Sequence, residues 1–380
     1  MRLLFVAPDM HRGGAERQWA TLIPELAARG ADVRLLCLND EGPLFDDMRA
    51  AGVPAACLHL GGRADARGLR RALAEARGRA DASGLRRALA EAHGRPGAVV
   101  TRGVSPQLVG EAIARRAGAA HVLNEHTPLT ADGELLPTRA HQRALTRLVA
   151  PLVDRVIAVT ERQAAPLQRL GYRAERIVTI PNGVFEADVA LRADPAQTRR
   201  ELRVIGGEFA VLCVANLRPE KGVEAFVEAV LRAREQEPRL RGFVAGDGPQ
   251  RGGLEQLVAG REGVELLGSR GDVPDLIAAS DAVCLLSEAE ALPISILEAM
   301  ALGRPVVTTD VGGTPEAVAH EQTGLVVTRR DAAAALARLA SQPQWARELG
   351  ERGRARQRER FSGEAMIEGY ERALAEVATR

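Results

Sequence analysis

Short apolar runs alternate with longer amphipathic stretches along most of this chain. Residues 3–7 are apolar and lead through Gly13-Gly14 into a segment with Trp19, Leu22, Ile23 and Leu26 at helical spacing, closed near Gly30; the next apolar run is 33–38. The same strand, turn and helix unit recurs at 98–100, 121–123, 156–159 and 177–180. A second series runs through 209–214, 242–244, 264–267, 282–286 and 305–308. Apolar strands separated by helices predict parallel sheets with helices on both faces, and two series predict two doubly wound α/β domains. Residues 182–200 carry turn signals at Asn182-Gly183 and Asp194-Pro195 with no strong apolar period at the start, so the linker is expected there.

Length agrees with that division, since 380 residues exceed one ordinary domain. Lys+Arg 51 against Asp+Glu 50 leaves no bulk charge with which to hold nucleic acid. A hydrophobic content of 46% with mixed charge is that of a soluble globular protein. The first apolar run stops at Pro8, too short for a signal-peptide core or a membrane span, so a cytoplasmic location is expected. Cys37, Cys57, Cys213 and Cys284 stand singly among Val and Leu, which reads as small buried hydrophobes in a reducing compartment rather than a metal or disulfide set.

One segment is duplicated. Residues 64–79 and 80–95 differ only at Arg67/Ser83 and Arg77/His93. Two copies are too few for a stacked array, and a glycine in each interrupts a single long helix. The expectation is a duplicated amphipathic helix in the first domain, with Leu69/Leu73 and Leu85/Leu89 facing inward. Its arginines leave two readings open, a solvated helix face and a surface for peripheral membrane association or another anionic partner.

The densest chemistry lies between Glu290 and Glu298. Pro293 suits the first position of a helix whose apolar set is Ile294, Ile296, Leu297, Met300 and Leu302; Glu298 falls in the early turns and Glu290 in the loop before it. A helix N-terminus offers unpaired N–H groups to a diphosphate, and flanking carboxylates accept hydrogen bonds from sugar hydroxyls. Acidic residues near a helix start also arise simply to complement its dipole, and spacing alone leaves both readings standing.

Other short motifs occur in a fixed order with that pair: Gly13-Gly14-Ala15-Glu16, Ile180-Pro181-Asn182-Gly183-Val184, Arg218-Pro219-Glu220-Lys221-Gly222, Gly246-Asp247-Gly248-Pro249 and Asp310-Val311-Gly312-Gly313-Thr314-Pro315-Glu316. Together they resemble glycosyltransferase family 4, retaining enzymes of GT-B fold that include bacterial polysaccharide and glycolipid transferases. The resemblance spans nearly the whole chain. It implies two Rossmann-like domains facing a central cleft: residues 1–190 on the acceptor side, residues 191–361 binding the nucleotide-sugar donor, and a terminal helix over about 362–380 crossing back onto the first domain.

The resemblance also implies roles. Gly13 and Gly14 form a turn whose backbone N–H groups approach a phosphate; the Gly-x-Gly-x-x-Gly spacing of a dinucleotide site is missing. Lys221 and Arg218 neutralise the leaving diphosphate, although the family usually has an arginine five residues before the lysine, where Asn216 stands here. Glu298 accepts from the donor ribose and Glu290 lies near the donor sugar. Ala291, Leu292 and Pro293 join them, with Ala291 in a place usually held by glycine. Gly246 and Gly248 are assigned structure. His126, in Asn124-Glu125-His126-Thr127 at a strand end, aligns with a histidine near the anomeric carbon. The loop 128–139 and the turn at Arg102-Gly103-Val104-Ser105 are candidate acceptor surfaces. The donor is expected to be a UDP- or GDP-sugar and the acceptor a hydroxyl of a glycan, a glycolipid or other lipid-linked molecule, or a small molecule, with no cofactor and no metal, since no Asp-x-Asp stands at a strand end. A GT-B-like sugar-nucleotide epimerase and a non-catalytic sugar-nucleotide-binding protein are the alternatives.

Overall fold

The first series of strands folds into one parallel sheet. The computed structural model describes residues 1–11, 13–59, 95–136 and 140–378. In it the strands are β1 (Arg2–Ala7), β2 (Asp32–Cys37), β3 (Ala55–Cys57), β4 (Ala98–Thr101), β5 (Ala120–Glu125), the two-residue β6 (Leu129–Thr130), β7 (Arg155–Ala158) and β8 (Ile177–Thr179). The sheet order is β3-β2-β1-β4-β5-β7-β8. Leu3 lies opposite Val33 on one side and Ala98 on the other. The helix Gly14–Ala28 buries Trp19, Leu22, Ile23 and Leu26, the four positions read from the apolar period, and Trp19 meets Phe5 edge-on at 5.0 Å.

This unit comprises Met1–Thr127, Pro137–Pro181 and Met366–Arg380. Its last piece is the greater part of the helix Gly363–Ala378, whose Ile367, Tyr370 and Leu374 are buried. Two ion pairs hold that helix, Arg155–Glu376 at 2.6 Å and Arg29–Glu371 at 3.5 Å.

The second unit, Pro128–Leu136 with Asn182–Ala365, holds β9 (Phe209–Val214), β10 (Leu240–Ala245), β11 (Val264–Gly268), β12 (Ala282–Leu285), β13 (Ala289–Glu290), β14 (Val306–Thr308) and β15 (Gly324–Val326). Its parallel sheet runs β11-β10-β9-β12-β14-β15. β13 pairs antiparallel with β6, Glu290 opposite Leu129. Glu290 is therefore in a short strand and not in an open loop. Part of the loop expected at an acceptor surface is committed to this pairing, and residues 137–139 of it lie outside the described residues.

The stretch 182–200 is not a loose connection. Asn182 Nδ2 donates to the Leu292 carbonyl at 2.8 Å, Val184 N–H donates to the Phe361 carbonyl at 3.0 Å, and Asp194 caps the helix Pro195–Glu201 by accepting from Ala196 N–H at 2.7 Å. Buried Asp275 accepts from the N–H groups of Arg192 and Ala193. Its order rests on hydrogen bonds to distant partners, which leave no apolar period to read.

All four cysteines are free thiols, three buried and Cys57 half-buried. Among the described residues no helix is long and apolar enough to cross a membrane. The duplicated segment 64–95, except Arg95, lies outside the described residues.

Candidate functional site

Each sheet has one place where neighbouring strands lead their following chain to opposite sides. In the second unit it falls between β9 and β12, the position at which open parallel sheets bind ligands beyond the carboxyl ends of their strands. After β9 the chain makes a single turn of 3₁₀ helix, Pro219–Lys221, before the helix Val223–Ala233. Gly222 joins them at φ +62°, where a Cβ would lie 1.9 Å from the Leu286 carbonyl oxygen. That close approach sets the Lys221 turn against the chain leaving β12, and Glu288 N–H completes the contact by donating to the Glu220 carbonyl at 2.8 Å.

Lys221 Nζ consequently reaches both carboxylate oxygens of Glu290, at 2.8 and 2.9 Å. Glu290 is buried, and Ser287 Oγ donates to its Oε1 at 2.7 Å. The chain leaving β14 closes the third side. Gly312, at φ +49°, passes so near the Glu290 carbonyl oxygen that a Cβ would lie 1.9 Å from it, and Gly313 N–H donates to the Ala291 carbonyl at 2.6 Å. Thr309 Oγ1 donates to the Ser287 carbonyl at 2.6 Å, locking the two loops together.

Ala291 and Leu292 are buried as they lead into the helix Ile294–Ala301. Pro293 is the residue before this helix, at φ −70° and ψ 125°, one place earlier than its sequence position predicts; its extended ψ turns the chain before the first helical residue. Glu298, the fifth residue of the helix, is fully buried. Arg218 is exposed, and its side chain makes no hydrogen bond or ion pair to the described residues, so the structure does not join it to Lys221. Gly246 and Gly248 pack against the backbone of Ala215 and Leu217.

The first unit has its own switch point, between β1 and β4. Gly13 caps the helix Gly14–Ala28, so the expected Gly-Gly turn is a helix start with Gly14 already in the first turn. After β4, Arg102 pairs with Glu16 at 2.5 Å, donates to the Asp9 carbonyl at 3.3 Å, and lies 5.2 Å over the Trp19 ring. After β5, His126 Nε2 lies 2.9 Å from Asn124 Oδ1. Burial, reinforced by the Arg102 charge, pushes the His126 imidazole pKa down to about 3. Burial raises the pKa of the neighbouring Glu125 carboxyl, which accepts from Thr127 N–H at 2.6 Å.

Several of these residues escape sequence reasoning. Arg102 and Glu16 both stand inside segments quoted above, but 86 positions separate them. Ser287 belongs to no quoted motif, and Asn124 was quoted only as a neighbour of His126; their only signal is a place just past or at a strand end. Among the described residues no group of three or more His, Cys, Asp or Glu could hold a metal ion.

With this geometry in view, comparison with known proteins is direct. The description "Glycosyl transferase 4-like domain" matches residues 13–183, and "Glycosyl transferases group 1" matches residues 208–342. The chain belongs to this group of family 4-like glycosyltransferases. N-acetyl-alpha-D-glucosaminyl L-malate synthase of Bacillus anthracis is 32% identical over 208 residues, covering 53% of this chain and 54% of that one. D-inositol 3-phosphate glycosyltransferase of Kribbella flavida is 31% identical over 213 residues, covering 51% and 50%. The chain thus spans about half the length of the curated relatives it matches. Among solved structures, Anabaena Alr3699/HepE in complex with UDP superposes with a TM-score of 0.80 at 21% identity, covering 99% of this chain and 100% of that one. The fold is GT-B.

Proposed function

We propose that this protein transfers a glycosyl group from a nucleotide-sugar donor to a hydroxyl of a glycan, lipid-linked or small-molecule acceptor, with retention of anomeric configuration. One observation carries the reading: Lys221 and Glu290 meet at the switch point of the second sheet, beside the start of the helix that bears Glu298. On this reading Lys221, assisted by exposed Arg218, neutralises the leaving diphosphate, whose negative charge grows in the transition state. Glu298 accepts from the ribose hydroxyls, and Glu290 faces the transferred sugar with Ala291, Leu292 and Pro293. The helix start at Gly13-Gly14 offers N–H groups to phosphate. His126 lies by the reacting carbon. The bond from the anomeric carbon to the diphosphate oxygen breaks, the acceptor oxygen bonds to that carbon from the same face, and the acceptor proton passes to the departing phosphate.

A donor of the UDP- or GDP-sugar class fits, and the similar Anabaena protein is seen with UDP. The reading needs no divalent ion, because the side-chain cations and the helix dipole supply the positive charge. A cytoplasmic enzyme, peripheral at the inner face of the membrane when its acceptor is lipid-linked, is the setting it implies.

A panel of nucleotide sugars tests this. A true donor raises the melting temperature by mass action and, with acceptor present, releases nucleoside diphosphate in excess chelator. Turnover abolished by chelator and restored by magnesium or manganese contradicts the charge assignment.

A further inference from the structure

Two side chains of the first unit, the Trp19 indole and the His126 imidazole, meet one amide, that of Asn124 near the end of β5. Asn124 and Trp19 are both fully buried. The indole Nε1–H can only donate, and it lies 2.6 Å from Asn124 Oδ1. That contact orients the amide. With the NH₂ turned toward the indole, two donors would face each other in a site closed to water, at the cost of leaving both unsatisfied. In the orientation present, Nδ2 reaches toward the Ile157 carbonyl at 3.4 Å.

Asn124 Oδ1 is thereby an acceptor, and it lies 2.9 Å from His126 Nε2. An acceptor at that distance requires a proton on the nitrogen. We infer that Asn124 is a positioning residue that holds His126 as the Nε2–H tautomer, leaving Nδ1 as a bare acceptor for a hydroxyl group of a ligand and not a donor to a phosphate oxygen. The doubly protonated ring is opposed by the half-buried setting and by the Arg102 guanidinium stacked over Trp19. Nδ1 has no hydrogen-bond partner among the described residues. The ligand half of this inference rests on the function proposed above; the tautomer is a property of the unliganded protein.

The two halves are measured separately. Protein carrying ¹⁵N-histidine, with His126 assigned by its loss in His126→Gln, reports the tautomer at neutral pH through two-bond proton–nitrogen correlations. The expected pattern is a protonated Nε2 and an unprotonated Nδ1. Asn124→Asp keeps the acceptor and should keep that pattern, whereas Asn124→Leu and Trp19→Phe should give a mixture of tautomers. A wild-type spectrum showing Nδ1–H, or a doubly protonated ring, overturns the inference without recourse to any variant. So does an unchanged pattern in folded Asn124→Leu. Failure of glycosyl transfer with the expected tautomer present removes the proposed function and leaves the Asn124 assignment intact; transfer by a protein with the Nδ1–H form does the reverse.

Discussion

Both sheets carry a cation–carboxylate pair at their switch points, and the two pairs are built differently. Arg102 and Glu16 in the first unit are 9% and 17% exposed at their side chains, and the guanidinium is held again by the Asp9 carbonyl and the Trp19 ring. Lys221 in the second unit is 24% exposed and, among the described residues, its ammonium is held by Glu290 alone. A fork with several fixed partners is a strut. A point charge with one partner can share itself with an incoming phosphate. On the function proposed above, the same motif serves architecture in one unit and ligand charge in the other.

The largest expected effect comes from removing the second cation. Lys221→Ala should lower transfer roughly 10²–10³-fold, the size found for losing one preorganised electrostatic contact to a transition state. Steady-state assays with saturating donor check this, and a folded Lys221→Ala enzyme with wild-type turnover would erase the distinction. Arg102→Met should act on stability: it leaves Glu16 without its cation and costs about 3 kcal/mol, the low end of the range for breaking a buried pair, because Glu16 keeps some contact with solvent. Denaturant unfolding measures it. Nucleotide affinity of the surviving folded fraction should be unchanged.

A smaller effect sharpens the contrast through pH. The folded His126 pKa of about 3 lies below the ordinary 6.5, so between these values the unfolded chain binds a proton that the folded chain refuses. The stability from keeping this imidazole neutral is full above pH 6.5 and is lost as pH falls toward 3. His126→Gln should flatten that part of the unfolding profile. Glu125 runs the other way: its raised pKa makes the folded chain the stronger proton binder, so its contribution declines as pH rises above the ordinary carboxylate range. A wild-type profile whose acid limb is the same in His126→Gln would contradict the lowered pKa of this ring.

The alternation of apolar runs and amphipathic helices was legible because both faces of each sheet are covered, which makes the interior strands continuously apolar. The edge strands Ala55–Cys57 and Gly324–Val326 were missed: Ala-Ala-Cys and Gly-Leu-Val lack the run of large apolar or β-branched residues that marked the equally short Ile177–Thr179 and Val306–Thr308. Two-residue β6 and β13 carry none. At the site, Lys221, Glu290 and Glu298 were visible as motif residues, but the ion pair between the first two spans 69 positions and depends on Gly222 and Gly312 allowing three loops to approach. Spacing within one segment cannot show a meeting of that kind. Arg218, which the resemblance set beside Lys221 at the diphosphate, follows the 3₁₀ turn into solvent and makes no side-chain contact with Lys221 among the described residues.

Calorimetric titration of UDP and GDP, in chelator, into wild type, Lys221→Ala, Glu298→Gln and Glu290→Gln tests the central claim that the second switch point is a nucleotide-diphosphate site. The account predicts binding of one of the two nucleotides to wild type, a severe loss in Lys221→Ala, and a loss of about 1.5–3 kcal/mol in Glu298→Gln, the range for hydrogen bonds to charged groups. Glu290→Gln should stay close to wild type, since a nucleoside diphosphate carries no sugar for it to meet. Equal affinities in all four folded proteins would contradict the account and reduce Lys221, Glu290 and Glu298 to parts of the scaffold.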